Sequence, residues 1–357
     1  MSRPARRRRL LAVVVTLLAA GAIGAPAALA APAPVTRCVL DDPRLDEVSG
    51  LAVTPSGLAV VDDSGNATVV YTLARDCSVD SARAVGVSGR DVEDLARDAT
   101  GTLWLADIGD NGGTRPSIAL IRVPARGAPD VRRLVYPDRP HDAETLLLPA
   151  DGRPVIITKD LGGRSGVYTT DTPPATGSPT PLHRVGEFVV PLSATDGGPL
   201  GPFGRGLVTG GALSADGRVA AVRTYTDAWL YPVAGASAED VVTALRRAPV
   251  DVPLPGEPQG EAIAFAADGT LLSAGEAGRS RSGGTATASL RAVPGAVSLV
   301  PPPTAAPAPA VVAAVPPPPD TRGPGLLAAS AAGAAAVVVA GVPVAALVRR
   351  RRGPVRR

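Results

Sequence analysis

The chain has 357 residues, with 36 Lys and Arg against 33 Asp and Glu, a formal net charge of +3 and a pI of about 9.2. Eleven of the arginines lie in the two terminal segments, which hold no acids, so +3 less eleven leaves −8 on the chain between them. An acidic domain with basic ends argues against nucleic acid as a partner.

Arg3 and Arg6 to Arg9 open the chain, residues 10–23 are apolar, and Ala28-Leu29-Ala30 follows. That order predicts a secretory signal peptide over residues 1–30, cleaved after Ala30, with an uncleaved anchor as the alternative. Residues 36–40 read as a strand with no obvious partner. Cys38 and Cys77 are the only cysteines, and an even count in an oxidising compartment predicts one disulfide.

From there one unit recurs five times. A short apolar run ends in Thr54-Pro55-Ser56-Gly57, Asp98-Ala99-Thr100-Gly101, Pro149-Ala150-Asp151-Gly152, Ser214-Ala215-Asp216-Gly217 and Ala266-Ala267-Asp268-Gly269. The glycines are 44, 51, 65 and 52 residues apart, the range of a four-stranded propeller blade. Each unit reads as strand, turn, strand, loop, strand: 49–53, 58–62 and 68–73 in the first, 93–97, 103–107 and 117–123 in the second. Fourth strands are expected at 84–87, 132–136, 183–188 and 241–245. The fold class is therefore all-β, a five-bladed β-propeller over residues 36–295, with Trp104 and Trp229 as blade packing. The 65-residue interval leaves room for a sixth blade, and a β-sandwich is the plainer alternative. The last unit lacks a fourth strand, so the N-terminal strand is expected to close the ring, pinned by a Cys38–Cys77 bond.

Residues 296–324 are dominated by Pro and Ala and predict an extended spacer. Residues 325–348 carry no charge and are long enough to cross a bilayer as one transmembrane helix. The arginine-rich residues 349–357 then form a cytoplasmic tail by the positive-inside rule. The expected product is a cell-membrane protein with its propeller extracellular.

Eight residues before each repeat glycine stands a polar side chain: Ser49, Glu93, Glu144, Thr209 and Glu261. In a propeller these begin the innermost strands and ring one mouth of the channel. The ends of the second strands add Asp63, Asp107 and Arg223, with Lys159 and Glu276 one place later. Lys159 is the only lysine in the chain, either a functional point charge or one half of a salt bridge. Asp62-Asp63-Ser64-Gly65-Asn66 and Asp107-Ile108-Gly109-Asp110-Asn111 suit Ca²⁺ and equally suit tight turns. Ser49, Asp63, Glu144, Thr209, Glu261 and Glu276 are the expected ligand-binding residues, and Asp107, Asp110 and Glu93 the expected metal ligands. His141 and His183 are the only histidines, too few for a histidine-built zinc site.

Five segments together carry a resemblance: the two acidic loops just given, Asp91-Val92-Glu93-Asp94-Leu95-Ala96, His141-Asp142-Ala143-Glu144 and Pro258-Gln259-Gly260-Glu261-Ala262. The chain resembles the secreted bacterial propeller proteins of the phytase-like, or esterase-like phytase, group over most of residues 38–276. The resemblance implies Ca²⁺ at the channel mouth and phosphoester hydrolysis. Lys159 and Arg223 would hold phosphate, and carboxylates including Glu93 would hold metal and activate water. The preferred function is ligand binding at an acidic mouth with Ca²⁺, the ligand being a small molecule or a cell-envelope component and the protein a monomer. A phytase-like hydrolase and a protein-interaction scaffold are the alternatives.

Overall fold

In the computed structural model, which describes residues 30–63, 67–279 and 285–303, the repeated apolar runs pair into five separate antiparallel sheets. Blade 1 is Val48–Thr54, Gly57–Asp62, Val69–Leu73 and Val79–Ala84. Blade 2 is Val92–Arg97, Leu103–Asp107, Ile118–Val123 and Asp130–Val135, and the short strand Thr180–Pro181 lies parallel to its outer edge. Blade 3 is Ala143–Leu147, Val155–Thr158, Arg164–Thr169 and His183–Val189. Blade 4 is Val208–Leu213, Val219–Thr224, Asp227–Pro232 and Val250–Pro253. Blade 5 takes Gln259–Phe265, Leu271–Glu276 and Ala288–Val293 from one end of the chain and Val35–Leu40 from the other.

The five repeat glycines explain the ruler. Gly57, Gly101, Gly152, Gly217 and Gly269 all have φ between +69° and +143°, where a side chain is strained. They turn the innermost strand of each blade into the second. Middle strands such as Val155–Thr158 and Val219–Thr224 are buried along their whole length, because each sheet is covered on both faces by its neighbours. This is why they read as unbroken apolar runs rather than alternating ones.

The buried side chains fall into five clusters, one per seam between adjacent blades. Ala52, Val61, Leu95 and Leu105 join blades 1 and 2. Trp104, Ile118, Leu146 and Ile156 join blades 2 and 3. Leu147, Phe188, Val222 and Trp229 join blades 3 and 4, and Leu230, Ile263, Phe265 and Leu271 join blades 4 and 5. Leu51, Leu73, Ala264 and Leu290 join blades 5 and 1, so the ring closes. Cys38 in the closing strand is bonded to Cys77 in blade 1, with Cα atoms 5.8 Å apart.

Three expectations need correction. The fourth strand of blade 1 is Val79–Ala84 rather than 84–87, because the chain turns back after Leu73 and pairs Val79 with it. Residues 241–245 are not a strand: 241–244 finish the helix Ala238–Ala244, Leu245 caps it, and the fourth strand of blade 4 is Val250–Pro253. Ser237 and Asp240 form a reciprocal capping box that starts the helix, a signal present in the sequence. There is no sixth blade in the long interval. It holds the blade 3 connection carrying Thr180–Pro181, then a mouth-side loop ending in the 3-10 turn Gly201–Gly206. The chain stays packed beyond residue 295 through the turn Ala296–Leu299, with Ala296 buried in the seam of blades 4 and 5. Residues 1–29 of the expected signal peptide, residues 304–324 of the expected spacer, and the expected span at 325–348 and tail at 349–357 lie outside the described residues. Among the described residues no helix is long and apolar enough to cross a membrane.

Candidate functional site

All five innermost strands break register with the second strand at the same place. Val92 faces Asp107 and Asp94 faces Ala106, so Glu93 has no partner of its own. Ser49, Glu144, Thr209 and Glu261 are left over in the same way. The recurring polar residue is therefore a β-bulge, an inserted residue that bends its strand and re-aims its side chain. Inner and second strands are antiparallel, so all five bulges lie at the end of the blades where the second strands finish.

The two hydroxyl members bond to the neighbouring blades. Ser49 Oγ donates to Val92 O at 2.6 Å, and Thr209 Oγ1 donates to Gly260 O at 2.9 Å. In each case the acceptor belongs to the residue just before the next blade's bulge. Both side chains are fully buried and act as cross-blade links.

The three carboxylate members meet more acids. Oxygens of Glu93, Asp142 and Glu144 lie within 4.8 Å of one another. Asp91 contacts Glu93, Glu261 contacts Glu276, and Glu47 contacts Asp63, each at hydrogen-bond range. A carboxylate pair at that range needs a shared proton or a cation between its oxygens. Burial, then the charge of Glu144, pushes Glu93 and Glu261 well above the usual glutamate range. Burial carries Glu144 to about 7 although Lys159 opposes it. Burial and neighbouring acids push Asp62 and Asp63 to about 7, and one oxygen of each is buried with no partner. Gly109 leaves room for the acids: a Cβ there would fall 2.5 Å from Asp91 Oδ2 and closer still to Glu93 Oε1.

Lys159 joins this group as an ion pair with Glu144, its ammonium 5.2 Å from the ring centre of Tyr225. Burial disfavours the charge, but Glu144 and Tyr225 outweigh it and hold the ammonium above the usual lysine range. Tyr225 in turn lies under the mouth-side loop, where a Cβ on Gly198 would fall 2.7 Å from it. The tips of the mouth-side loops of blades 3 and 4 expose Leu161, Leu192, Leu200 and Phe203.

Three residues expected in the site have other work. Asp107 accepts the N–H groups of Arg90 and Asp91 at 3.0 and 3.1 Å and pairs with Arg115 at 2.8 Å. Asp110 accepts the N–H groups of Thr114 and Arg115 at 3.0 and 2.8 Å. Their oxygens build the Asp-Ile-Gly-Asp-Asn loop, and the loop presents the Asp110 N–H to Asp142 at 2.8 Å. Asp142, not Asp107 or Asp110, is the acid whose oxygens converge with those of Glu93 and Glu144. Arg223 is fully buried in the seam of blades 4 and 5, donating to Glu257, Ser273 and the carbonyls of Thr224, Ala262 and Ala274. It cannot hold phosphate there. Residues 64–66 of the first acidic loop lie outside the described residues.

Asp91, Asp142, Tyr225 and Glu257 are missing from the sequence-derived set. A signal existed for the first two: Glu47, Asp91 and Asp142 each stand two residues before a bulge. Their carbonyls accept the N–H groups of Asp63, Gly109 and Lys159 at 3.0, 3.2 and 3.0 Å, which brings a second tier of acids beside the first.

No protein-family model matches the chain, and no curated protein is similar to it. Among solved structures it is similar to a gluconolactonase from Xanthomonas campestris, at 15% identity and a TM-score of 0.40, over 76% of this chain and 99% of that one. It is similar to a PQQ-bound aldose sugar dehydrogenase from Streptomyces coelicolor, at 12% identity and a TM-score of 0.38, over 74% of this chain and all of that one. A virginiamycin B lyase from Staphylococcus aureus aligns at 11% identity and a TM-score of 0.33, over 71% of this chain and 72% of that one. Likenesses of this size leave the fold to be argued from the strand order above and say nothing of activity.

Proposed function

We propose that the protein is a membrane-anchored, extracellular propeller that binds a ligand at its acidic mouth with Ca²⁺ held by Glu93, Asp142 and Glu144. The observation that carries this reading is the convergence of those three carboxylates within 4.8 Å, flanked by acid–acid contacts. A hard cation prefers such oxygen donors and relieves the repulsion that otherwise forces them to keep protons. The close packing of the Asp91 and Glu93 carboxylates against Gly109 and the unpartnered oxygens of Asp62 and Asp63 fit the same group. The exposed leucines and Phe203 on the rim give a ligand apolar surface to cover. Anchoring and export rest on the terminal segments of the sequence alone.

A second reading is a phosphoester hydrolase using the same mouth. Lys159 favours it, because its ammonium stands beside the carboxylates and could stabilise negative charge developing on a substrate. A bound Ca²⁺ would supply Lewis acidity and lower the pKa of a water.

One experiment separates the readings. Residues 31–304 are expressed, and the thermal midpoint is followed with and without Ca²⁺ alongside turnover of p-nitrophenyl phosphate. A Ca²⁺-dependent rise without turnover supports ligand binding. Turnover that Lys159→Ala abolishes supports hydrolysis. Neither a shift nor turnover would sink both and leave a scaffold that uses its outer blade surfaces.

A further inference from the structure

Below the acidic mouth the Asp94 side chain reaches from blade 2 to blades 3 and 4. Asp94 follows the blade 2 bulge and is wholly buried. Its Oδ1 accepts its neighbour Leu95 N–H at 2.8 Å. Its Oδ2 reaches out of the blade, accepting Leu146 N–H of blade 3 at 2.8 Å and Gly211 N–H of blade 4 at 3.2 Å.

The chemistry of that reach follows from the fold. The innermost strand of a blade has a partner on one side only, so its other edge turns unpaired N–H groups toward the axis. A buried N–H without an acceptor keeps the full cost of its lost hydration. One carboxylate meets two of these donors from two other blades. The equivalent positions are Gly50, Thr145, Gly210 and Ala262, none of them charged. On the far side the donors Leu95, Leu146 and Gly211 line a cavity of about 170 Å³ that Leu51, Phe265 and Arg97 also line. Asp94 thus forms a floor between the acidic mouth and this cavity.

The same bonds fix distances in the mouth. Asp94 is the next residue after Glu93, and Leu146 is two residues after Glu144. We propose that Asp94 is the positioning residue of the cation site: by clasping the inner strands of blades 2, 3 and 4 it sets the spacing of the Glu93 and Glu144 carboxylates. This inference rests on reading the mouth as a cation site.

The test uses the full-length protein as wild type, Asp94→Ala, Asp94→Asn and a control, Asp98→Ala. Asp98 closes the turn at the opposite end of blade 2, accepting the Thr100 and Thr102 N–H groups and Trp104 Nε1, so its loss destabilises the same blade away from the mouth. Tb³⁺ luminescence titration, the thermal midpoint and amide exchange at Leu146 and Gly211 are measured. Asp94→Ala is expected to weaken Tb³⁺ binding at least tenfold and to speed exchange at both amides. Asp94→Asn, with one oxygen left, falls between it and wild type. Asp98→Ala lowers the midpoint and keeps the affinity. Wild-type affinity in folded Asp94→Ala overturns the proposal, as does an equal affinity loss in Asp98→Ala. Should Asp94→Ala not fold, an affinity in Asp94→Asn within twofold of wild type overturns it. A wild type that binds no Tb³⁺ overturns the cation reading and the positioning role with it, while faster exchange in Asp94→Ala would still record the clasp.

Discussion

Replacing Arg223 by methionine separates a structural arginine from a phosphate-binding one. The guanidinium is inaccessible to solvent and Glu257 nearly so, and the two are joined at 2.8 Å. Nη1 adds Ala262 O at 3.0 Å and Ser273 Oγ at 2.8 Å, and Nε adds Thr224 O at 3.1 Å. Methionine keeps much of the volume and leaves the Glu257 carboxylate with only Ser273 and the more distant Arg291, at 3.7 Å. Breaking a buried pair from one side costs about 3–5 kcal/mol. For a domain of this size each kcal/mol moves the midpoint by about 2–4 °C, so a fall of roughly 6–20 °C is expected. Glu257→Gln should cost less, and the double variant Arg223→Met/Glu257→Gln should cost less than the two singles summed, because neither partner is then left charged alone. Calorimetry on the four proteins gives the coupling directly. An unchanged midpoint in Arg223→Met, with loss confined to ligand binding, would refute the assignment to the seam and return Arg223 to the site.

Further outcomes follow from other contacts. Ser49→Ala and Thr209→Val should each lose about 1 kcal/mol by denaturant titration without altering a Ca²⁺ response, since their hydroxyls bond across blades; a lost response would restore them to the mouth. Cys38→Ser with Cys77→Ser opens a loop with a sequence separation of 39, which should cost about 4 kcal/mol by loop entropy and speed amide exchange in Val35–Leu40. Unchanged exchange there would mean that the closing strand holds without the bond. Asp62 and Asp63 titrate near 7 in the folded protein against 3.8 for an ordinary aspartate, so folding favours their protonated form. Their contribution is present below about pH 4 and is lost as pH rises through about 7. In chelator, the midpoint difference between wild type and Asp62→Asn/Asp63→Asn should therefore shift against wild type from pH 5 to pH 8. A difference that is flat with pH would contradict this, and Ca²⁺ should reduce it at pH 8.

The ring, its blade count and its closure were legible in the chain because each depends on short-range pattern. Apolar runs of strand length, a glycine forced to positive φ at a fixed offset and an unpartnered first strand repeat too regularly to serve another fold. The recurring position of Ser49, Glu93, Glu144, Thr209 and Glu261 was legible for the same reason. That it is a bulge was not, since a bulge is a mismatch between two strands and neither strand alone records it.

Which polar groups serve the mouth was decided only by tertiary contact. Asp142 stands two residues before its bulge, but only contact shows that it gathers beside Glu93 and Glu144 while Asp107 is bound into its own loop. Arg223 and Lys159 end equivalent strands, yet a seam neutralises one and the mouth holds the other, because Glu257 lies beside the first and Glu144 beside the second. Asp94 is the sharpest case. It reads as one more acid in an acidic segment, and its partners Leu146 and Gly211 lie 52 and 117 residues away. Only closure of the ring brings their unpaired N–H groups to one carboxylate.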